Sequence, residues 1–209
     1  MPTDRESFLR CFGSRAQAAL PKPRDRESLL RCFGSRAEGV APEAHRLRLM
    51  GRWHNRYADG CVHFCTFTVQ GWHPALDRDM IDVLYSEWNR ARERFGICIL
   101  AYVVMPDHVH MLLWSSEGRN IRVFLQRTLG ETSKRLSPGK CKFWKERPRV
   151  FPIYSDDIVK EKIEYIHDNP VRRGLAGTSA EWRDSSFRQL AGGEEAVPFR
   201  CDPLVGAFG

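Results

Sequence analysis

The order of apolar and polar positions along the chain predicts four strands and three helices in its central part. Runs rich in β-branched, aromatic and aliphatic residues predict strands at 61–69, 97–105, 108–114 and 150–154. Apolar side chains at intervals of three and four residues predict helices at 77–95, about 121–136 and 156–169. We expect Asp77 to cap the first helix. Pro170 should end the last one, because proline disfavours helical geometry in the residue before it.

The order of these elements is strand, helix, strand, strand, helix, strand, followed by one more helix. This order is typical of the split βαβ arrangement, an α+β fold in which an antiparallel sheet carries two helices on one face. In that topology the first and third strands are central. The last helix could then pack against the opposite, open face of the sheet.

Two histidines open the third predicted strand. Side chains alternate between the faces of a strand, so His108 and His110 point the same way. Val109, Met111 and Leu113 point to the other face, which is apolar enough to belong to the core. Two imidazoles on one wall suit a divalent metal. The alternative is a pair of half-buried histidines hydrogen-bonded to their neighbours, and a His-x-His pattern alone favours it.

The helix predicted at 156–169 carries two different stripes. Its apolar stripe, which should dock onto the domain, consists of Val159, Ile163 and Ile166. Tyr165 and Asn169 are four residues apart and share another stripe with Glu161 and Lys162. A phenol and an amide would therefore face one point. The alternative is a surface tyrosine followed by an asparagine that caps the helix before proline.

The composition is that of a globular protein with a preference for polyanions. The 209 residues carry a formal net charge of +7, which makes nucleic acid the first partner to consider. The longest apolar run, 97–105, is too short to cross a bilayer. Seven cysteines without paired Cys-x-x-Cys motifs indicate reduced thiols. We therefore expect a cytoplasmic protein.

The amino-terminal quarter contains a duplication. Residues 4–16 and 25–37 are identical except that Phe8 is replaced by Leu29. Two copies are too few for a solenoid. We predict a basic, mostly flexible extension over residues 1–51, a domain over 52–190 and a tail over 191–209, although the duplication could also be a translated nucleotide repeat without a role.

Several motifs together resemble one family. They are MPDHVHMLL at 105–113, Phe143-Trp144, EYIHDNPVRRGL at 164–175, Trp182 and Ser185-Ser186. This combination resembles the REP-associated tyrosine transposases, in the single-tyrosine branch of the HUH endonucleases, over about residues 52–190. The resemblance implies a ferredoxin-like or RRM-like βαββαβ sheet with a catalytic-tyrosine helix at its carboxyl end. It also implies an enzyme that cleaves and rejoins single-stranded DNA beside a hairpin.

The resemblance also implies roles for individual residues. His108 and His110 match the family's metal-binding pair, Asn169 matches its third ligand and Tyr165 its nucleophile, which forms a 5′-phosphotyrosine. The implied cofactor is a divalent metal, Mg²⁺ or Mn²⁺. Members of the family more often have Asn where this chain has Asp107. The implied partner is hairpin-bearing single-stranded DNA in the nucleoid, bound by a monomer or a homodimer.

Positive and aromatic side chains around these motifs are candidates for contact with DNA. They are Arg52, Lys142, Trp144, Lys145, Arg147, Arg149, Lys162, Arg172 and Arg173. Any one of the charged residues could instead belong to a solvated cluster. A tryptophan in this loop could stack on an unpaired base or could pin the loop to the domain.

A hydrolase and a non-catalytic binding module are the two alternative function classes. A hydrolase of the histidine-triad kind would need a third histidine two residues beyond His110, but that residue is Leu112. A non-catalytic nucleic-acid-binding module with an open, RRM-like sheet would explain the charge. It would not explain why a His-x-His motif and a Tyr-x-x-x-Asn motif occur in the same chain.

Overall fold

A four-stranded antiparallel sheet lies at the centre of the computed structural model, which describes residues 55–137, 142–145, 147–192 and 197–203. Its strands are β1 (Val62–Thr68), β2 (Cys98–Val104), β3 (His108–Trp114) and β4 (Arg149–Ile153). Their spatial order is β2-β3-β1-β4, so the predicted split arrangement with β1 and β3 in the centre is confirmed. The predicted extension over residues 1–51 lies outside the described residues.

Two long helices cover one face of the sheet. Helix α1 (Arg78–Phe95) begins where predicted, because the Asp77 carboxylate accepts a hydrogen bond from the Met80 N–H at 3.0 Å. Helix α2 (Gly118–Leu136) begins against the loop that precedes β1. A Cβ atom on Gly118 would lie 2.7 Å from the Tyr57 carbonyl carbon, so glycine is needed at this close approach. No helix of the described part could span a bilayer.

Helix α3 (Asp156–Arg172) packs on the other face of the sheet. Its buried stripe of Val159, Ile163 and Ile166 joins a second apolar cluster, as predicted. From the sheet, this cluster includes Phe64 and Leu112, which share a face with the two histidines of β3. The helix therefore covers the face that the histidines share.

The prediction that α3 ends before Pro170 is wrong. The helix continues to Arg172 with the proline inside it. Proline cannot donate to the carbonyl four residues earlier, but this loss falls in the last turn. The Arg173 N–H then donates to the Asn169 carbonyl, and the Leu175 N–H to the Pro170 carbonyl, at 3.1 and 2.9 Å. Arg172 therefore lies in the last turn of the helix and Arg173 directly after it, and their guanidinium groups lie near Tyr165 and Asp107, respectively.

The chain after α3 packs back against the sheet and the main core. Ser185 forms a bridge with Val103, and the Asp184 carbonyl accepts from the Val104 N–H, so this segment covers the outer edge of β2. Further along, Phe199 and Cys201 are buried in the main core. These two residues, which fall within the predicted tail over 191–209, therefore pack against the core of the domain.

Candidate active site

His108 and His110 lie side by side and buried on the α3 face of β3. Their ring centroids are 4.7 Å apart. Each ring uses its Nδ1 for a hydrogen bond: His108 pairs with the Asp107 carboxylate at 2.6 Å, and His110 with the Thr66 hydroxyl at 2.8 Å. Nε2 is therefore the nitrogen through which each imidazole could bind a metal. Such outer partners fix the tautomer and orientation of metal-binding histidines.

The sequence pattern did not predict that Thr66 and Asp107 would be the partners of the two Nδ1 atoms. Strand register explains the contact of Thr66. Thr66 of β1 stands directly opposite His110 of β3, which places its hydroxyl on the same face as the imidazole. The contact could have been predicted if the register between β1 and β3 had been known. Asp107 was noted only as a departure from the family's pattern, whereas its carboxylate orients His108.

Arg173 completes the surroundings of His108. Its guanidinium donates to both carboxylate oxygens of Asp107, at 3.4 and 3.2 Å. The carboxylate thus accepts hydrogen bonds from an imidazole on one side and from a guanidinium on the other. This pairing compensates a nearly buried negative charge.

Both imidazoles are held in the neutral form that metal binding requires. Burial lowers the pKa of His108, although Asp107 and Asn169 partly counteract this effect. Burial lowers the pKa of His110 well below its ordinary value, and the positive charges of a protonated His108 and of Arg173 add to the shift. Neither ring needs to lose a proton at neutral pH before it can act as a ligand.

Helix α3 brings Tyr165 and Asn169 of the same chain to these histidines. The Tyr165 ring lies edge-on to the His110 ring, with the centroids 5.3 Å apart. It also contacts Phe64 of β1, at 5.9 Å between centroids. Asn169, one turn further along, is buried and lies close enough to His108 for its side chain to raise the pKa of that imidazole. The two halves of the predicted site therefore meet within one chain.

Two positive groups lie near the Tyr165 ring. The Lys162 ammonium is 5.7 Å from the centre of the Tyr165 ring, and the Arg172 guanidinium is 5.6 Å from it. Lys162 is buried, and its ammonium forms an ion pair with the Glu161 carboxylate at 2.8 Å. Arg172 and Arg173 are exposed.

The other DNA-contact candidates differ in their exposure. Trp144 is buried, packs edge-on against Phe67 and donates its indole N–H to the Thr132 hydroxyl at 2.8 Å. Of the two roles left open for this tryptophan, the structure therefore favours pinning the loop. The exposed members of the basic loop are Lys142, Lys145, Arg147 and Arg149. Arg52 lies outside the described residues.

The donor set at this site fits a divalent metal. Two neutral imidazoles and the oxygen of a carboxamide would supply three uncharged ligands, which leaves further positions for phosphate oxygens. Within the described ranges, no three His, Cys, Asp or Glu side chains cluster as metal ligands, so the set depends on the amide of Asn169. Asp107 is engaged by His108 and Arg173, which suits an outer role.

Comparisons with known proteins agree with this geometry. The model of the family described as transposase IS200-like matches residues 60–169, a stretch that contains both histidines and Tyr165. A Haemophilus influenzae protein named as a REP-associated tyrosine transposase is 22% identical over 153 residues, which cover 67% of this chain and 87% of the relative.

A solved structure has the same fold. It is that of a REP-associated tyrosine transposase bound to a REP hairpin, and it matches with a TM-score of 0.58 at 20% identity. The match covers 77% of this chain and 97% of the other. At this level of identity the likeness concerns the fold. Because the family model spans more than half of the sequence, this chain belongs to the IS200-like transposases, which are DNA-cleaving enzymes.

Proposed function

We propose that this chain is a metal-dependent transposase that cleaves and rejoins single-stranded DNA next to REP-like hairpins through a 5′-phosphotyrosine at Tyr165. The observation that carries the proposal is the contact between the Tyr165 and His110 rings, 5.3 Å apart between centroids. A tyrosine from a helix that follows the sheet meets a histidine pair at its centre. The hairpin bound by the structural relative supports the class of substrate.

The residues that would hold Mg²⁺ or Mn²⁺ are His108, His110 and Asn169. When bound, such an ion neutralises negative charge on a phosphodiester and so lowers its resistance to a nucleophile. The chain itself contributes orientation: Asp107 and Thr66 hold the two imidazole rings, and the α3 helix holds the phenol beside them. Lys162 and Arg172 place positive charge near the Tyr165 ring, where it can attract the phosphates of a DNA strand.

The proposed reaction conserves the number of phosphoester bonds. The Tyr165 oxygen attacks phosphorus after losing its proton to solvent, and a bond forms between this oxygen and the 5′-phosphate. The bond from phosphorus to the 3′-oxygen breaks, and that oxygen leaves as a hydroxyl after taking up a proton. A second 3′-hydroxyl can reverse these steps and release the phenol. Strand transfer therefore needs no external energy source.

The non-catalytic alternative fits the structure poorly. An RRM-like module binds single strands on an exposed sheet face with aromatic side chains. Here α3 covers that face, and Phe64, Leu112 and Val103 are buried beneath it. The face is instead occupied by the assembly of histidines, tyrosine and asparagine.

A covalent-adduct assay tests the proposal. Purified protein is incubated with Mg²⁺ or Mn²⁺ and a library of hairpins with randomised single-stranded flanks, labelled at either the 3′ or the 5′ end. Because the phenol would attach to a 5′-phosphate, the 3′ label should migrate with the protein on a denaturing gel. The 5′ label should appear on a shorter, free oligonucleotide.

Variants separate the nucleophile from the ligands. We expect Tyr165→Phe and His110→Ala to abolish the adduct, whereas Tyr154→Phe, a change of the same type at the end of β4, should retain it. An adduct that survives Tyr165→Phe would contradict the assignment. Release of both labels without attachment would indicate a hydrolase, and retardation without cleavage would indicate a binding module.

A further inference from the structure

An exposed tryptophan lies next to the histidine pair. Trp72 ends a short 3₁₀ turn (Gln70–Trp72) directly after β1, and 55% of its surface is exposed. In the described residues it is one of two large apolar side chains with this degree of exposure, the other being Leu175. Its ring contacts the His108 ring edge-on, with the centroids 6.1 Å apart. One part of the indole therefore faces the site while the remainder faces solvent.

The backbone holds Trp72 in this position at a conformational cost. Its φ angle is +59°, in the left-handed region that L-residues with large side chains rarely adopt. Gly71 before it has a φ of +71°, and a Cβ there would lie 2.9 Å from the His73 ring. Such conformations persist where surrounding structure imposes them, and they concentrate at functional sites.

Hydrogen bonds tie the turn to the strands that carry the site. The Val69 N–H donates to the Asp107 carbonyl at 2.8 Å, just before the turn, and the Leu76 N–H donates to the Pro106 carbonyl at 3.0 Å, just after it. The Trp72 N–H donates to the Val69 carbonyl at 3.1 Å. The indole is thus fixed relative to His108 through the same loop that carries Asp107.

Exposed lysines flank the same turn. The Gln70 N–H donates to the Phe143 carbonyl, and the Lys145 N–H donates to the Thr68 carbonyl, each at 2.8 Å. These contacts place the exposed residues Lys142 and Lys145 along the turn that carries Trp72. A positively charged track beside an exposed aromatic ring is the combination that binds single-stranded nucleic acid, through its phosphates and bases respectively.

We propose that Trp72 is a stacking platform for one unpaired base of the DNA strand, next to the phosphodiester that the histidine pair receives; this inference rests on the proposed function. The other tryptophans of the described residues are more covered: Trp88 and Trp144 are buried, and Trp114 and Trp182 pack partly buried against the second apolar cluster. Folding gains little from an indole that is half exposed and backbone-strained. A nucleobase stacked on its open face would cover that apolar surface.

The test combines protein variants with abasic DNA. Binding of a labelled hairpin with a single-stranded flank is measured by fluorescence anisotropy in EDTA, in a Tyr165→Phe background that prevents attachment. Trp72→Ala should weaken binding by between about 5-fold and about 150-fold, the range for one stacked base. Trp72→Phe should retain most of the affinity. A set of oligonucleotides with one abasic position each then locates the partner base.

The expected result is coupling at one position. With the abasic site at the base that stacks, Trp72→Ala should cause no further loss, whereas at other positions the full loss should remain. Equal losses at all positions, or no loss on intact DNA, would overturn the inference. If coupling is absent but the tyrosine adduct forms normally, the stacking role of Trp72 is overturned and the proposed function stands. If coupling is clear but no adduct forms, Trp72 still binds a base and the proposed function is overturned.

A stability measurement addresses a structural role. Trp72→Asn places at this position a residue that tolerates the left-handed conformation. We expect its thermal midpoint to equal or exceed that of the wild type, while its DNA affinity falls as in Trp72→Ala. A lower midpoint together with unchanged affinity would show that the indole serves the fold.

Discussion

Asp107 offers a direct test of how this site is held together. Its carboxylate accepts from His108 at 2.6 Å and from Arg173 at 3.2 Å, and its side chain is almost entirely buried. Asp107→Ala removes the group that orients the His108 ring. Asp107→Asn keeps an oxygen that can accept the imidazole hydrogen bond but removes the charge. The two variants therefore separate the geometric from the electrostatic contribution.

The expected magnitude follows from the type of hydrogen bond that is lost. A hydrogen bond to a charged group contributes about 1.5–3 kcal/mol. If all of this free energy serves to hold the His108 ring with Nε2 directed at the metal, metal affinity should fall by roughly 10- to 100-fold. This is the usual effect of losing an outer partner of a histidine ligand. Asp107→Asn should lose less, about 10-fold or below, because a neutral acceptor remains.

Calorimetric titration with Mn²⁺ in the absence of DNA measures this affinity. Glu164→Ala is the matched control, because it removes the same charge from an exposed position of α3 next to Tyr165. We expect Glu164→Ala to bind Mn²⁺ as the wild type does. Metal binding that is unchanged in Asp107→Ala, with the fold intact by circular dichroism, would refute the role of the carboxylate.

Two further predictions concern stability. Burial lowers the pKa of His63 to about 4, and its Nε2 accepts from the Ala58 N–H at 3.0 Å. Below pH 6.5 the unfolded chain therefore binds a proton at His63 that the folded chain excludes until about pH 4. The contribution of His63 to stability is full above pH 6.5 and falls with acidification, by about 2 kcal/mol at pH 5. In urea denaturation, the free energy of unfolding should therefore fall less steeply with acidification in His63→Gln than in the wild type, and equal slopes would contradict the prediction. Trp144→Phe loses the bond to Thr132 and should lower the free energy of unfolding by about 1–2 kcal/mol. Its affinity for hairpin DNA should stay within about twofold, and a selective loss of DNA binding would restore the stacking role of this indole.

The parts of the fold that depend on local pattern could be predicted from the sequence. Alternation along β3 places His108 and His110 on one face, and helical spacing places Tyr165 and Asn169 on one stripe. The two pairs meet because the split βαβ order leaves one face of the sheet for the last helix. Each of these steps depends on short-range periodicity and on a common topology.

The remaining features depend on contacts that local pattern does not encode. Thr66 reaches His110 through strand register, and Arg173 reaches Asp107 because α3 continues through Pro170. Pro170 removes one hydrogen bond from the helix, and the Arg173 and Leu175 N–H groups continue the hydrogen bonding after it, which the local sequence pattern does not show. The left-handed φ of Trp72 is likewise set by the turn and its tertiary hydrogen bonds.

The segment that lies along the outer edge of β2 has a consequence for assembly. An uncovered edge strand is a template onto which another chain can add a strand. Here the bridge between Val103 and Ser185 and the bond from Val104 to Asp184 occupy the backbone groups of that edge. A second copy could extend the sheet on this side only after displacing residues 184–186, so self-association through a continuous sheet is disfavoured there.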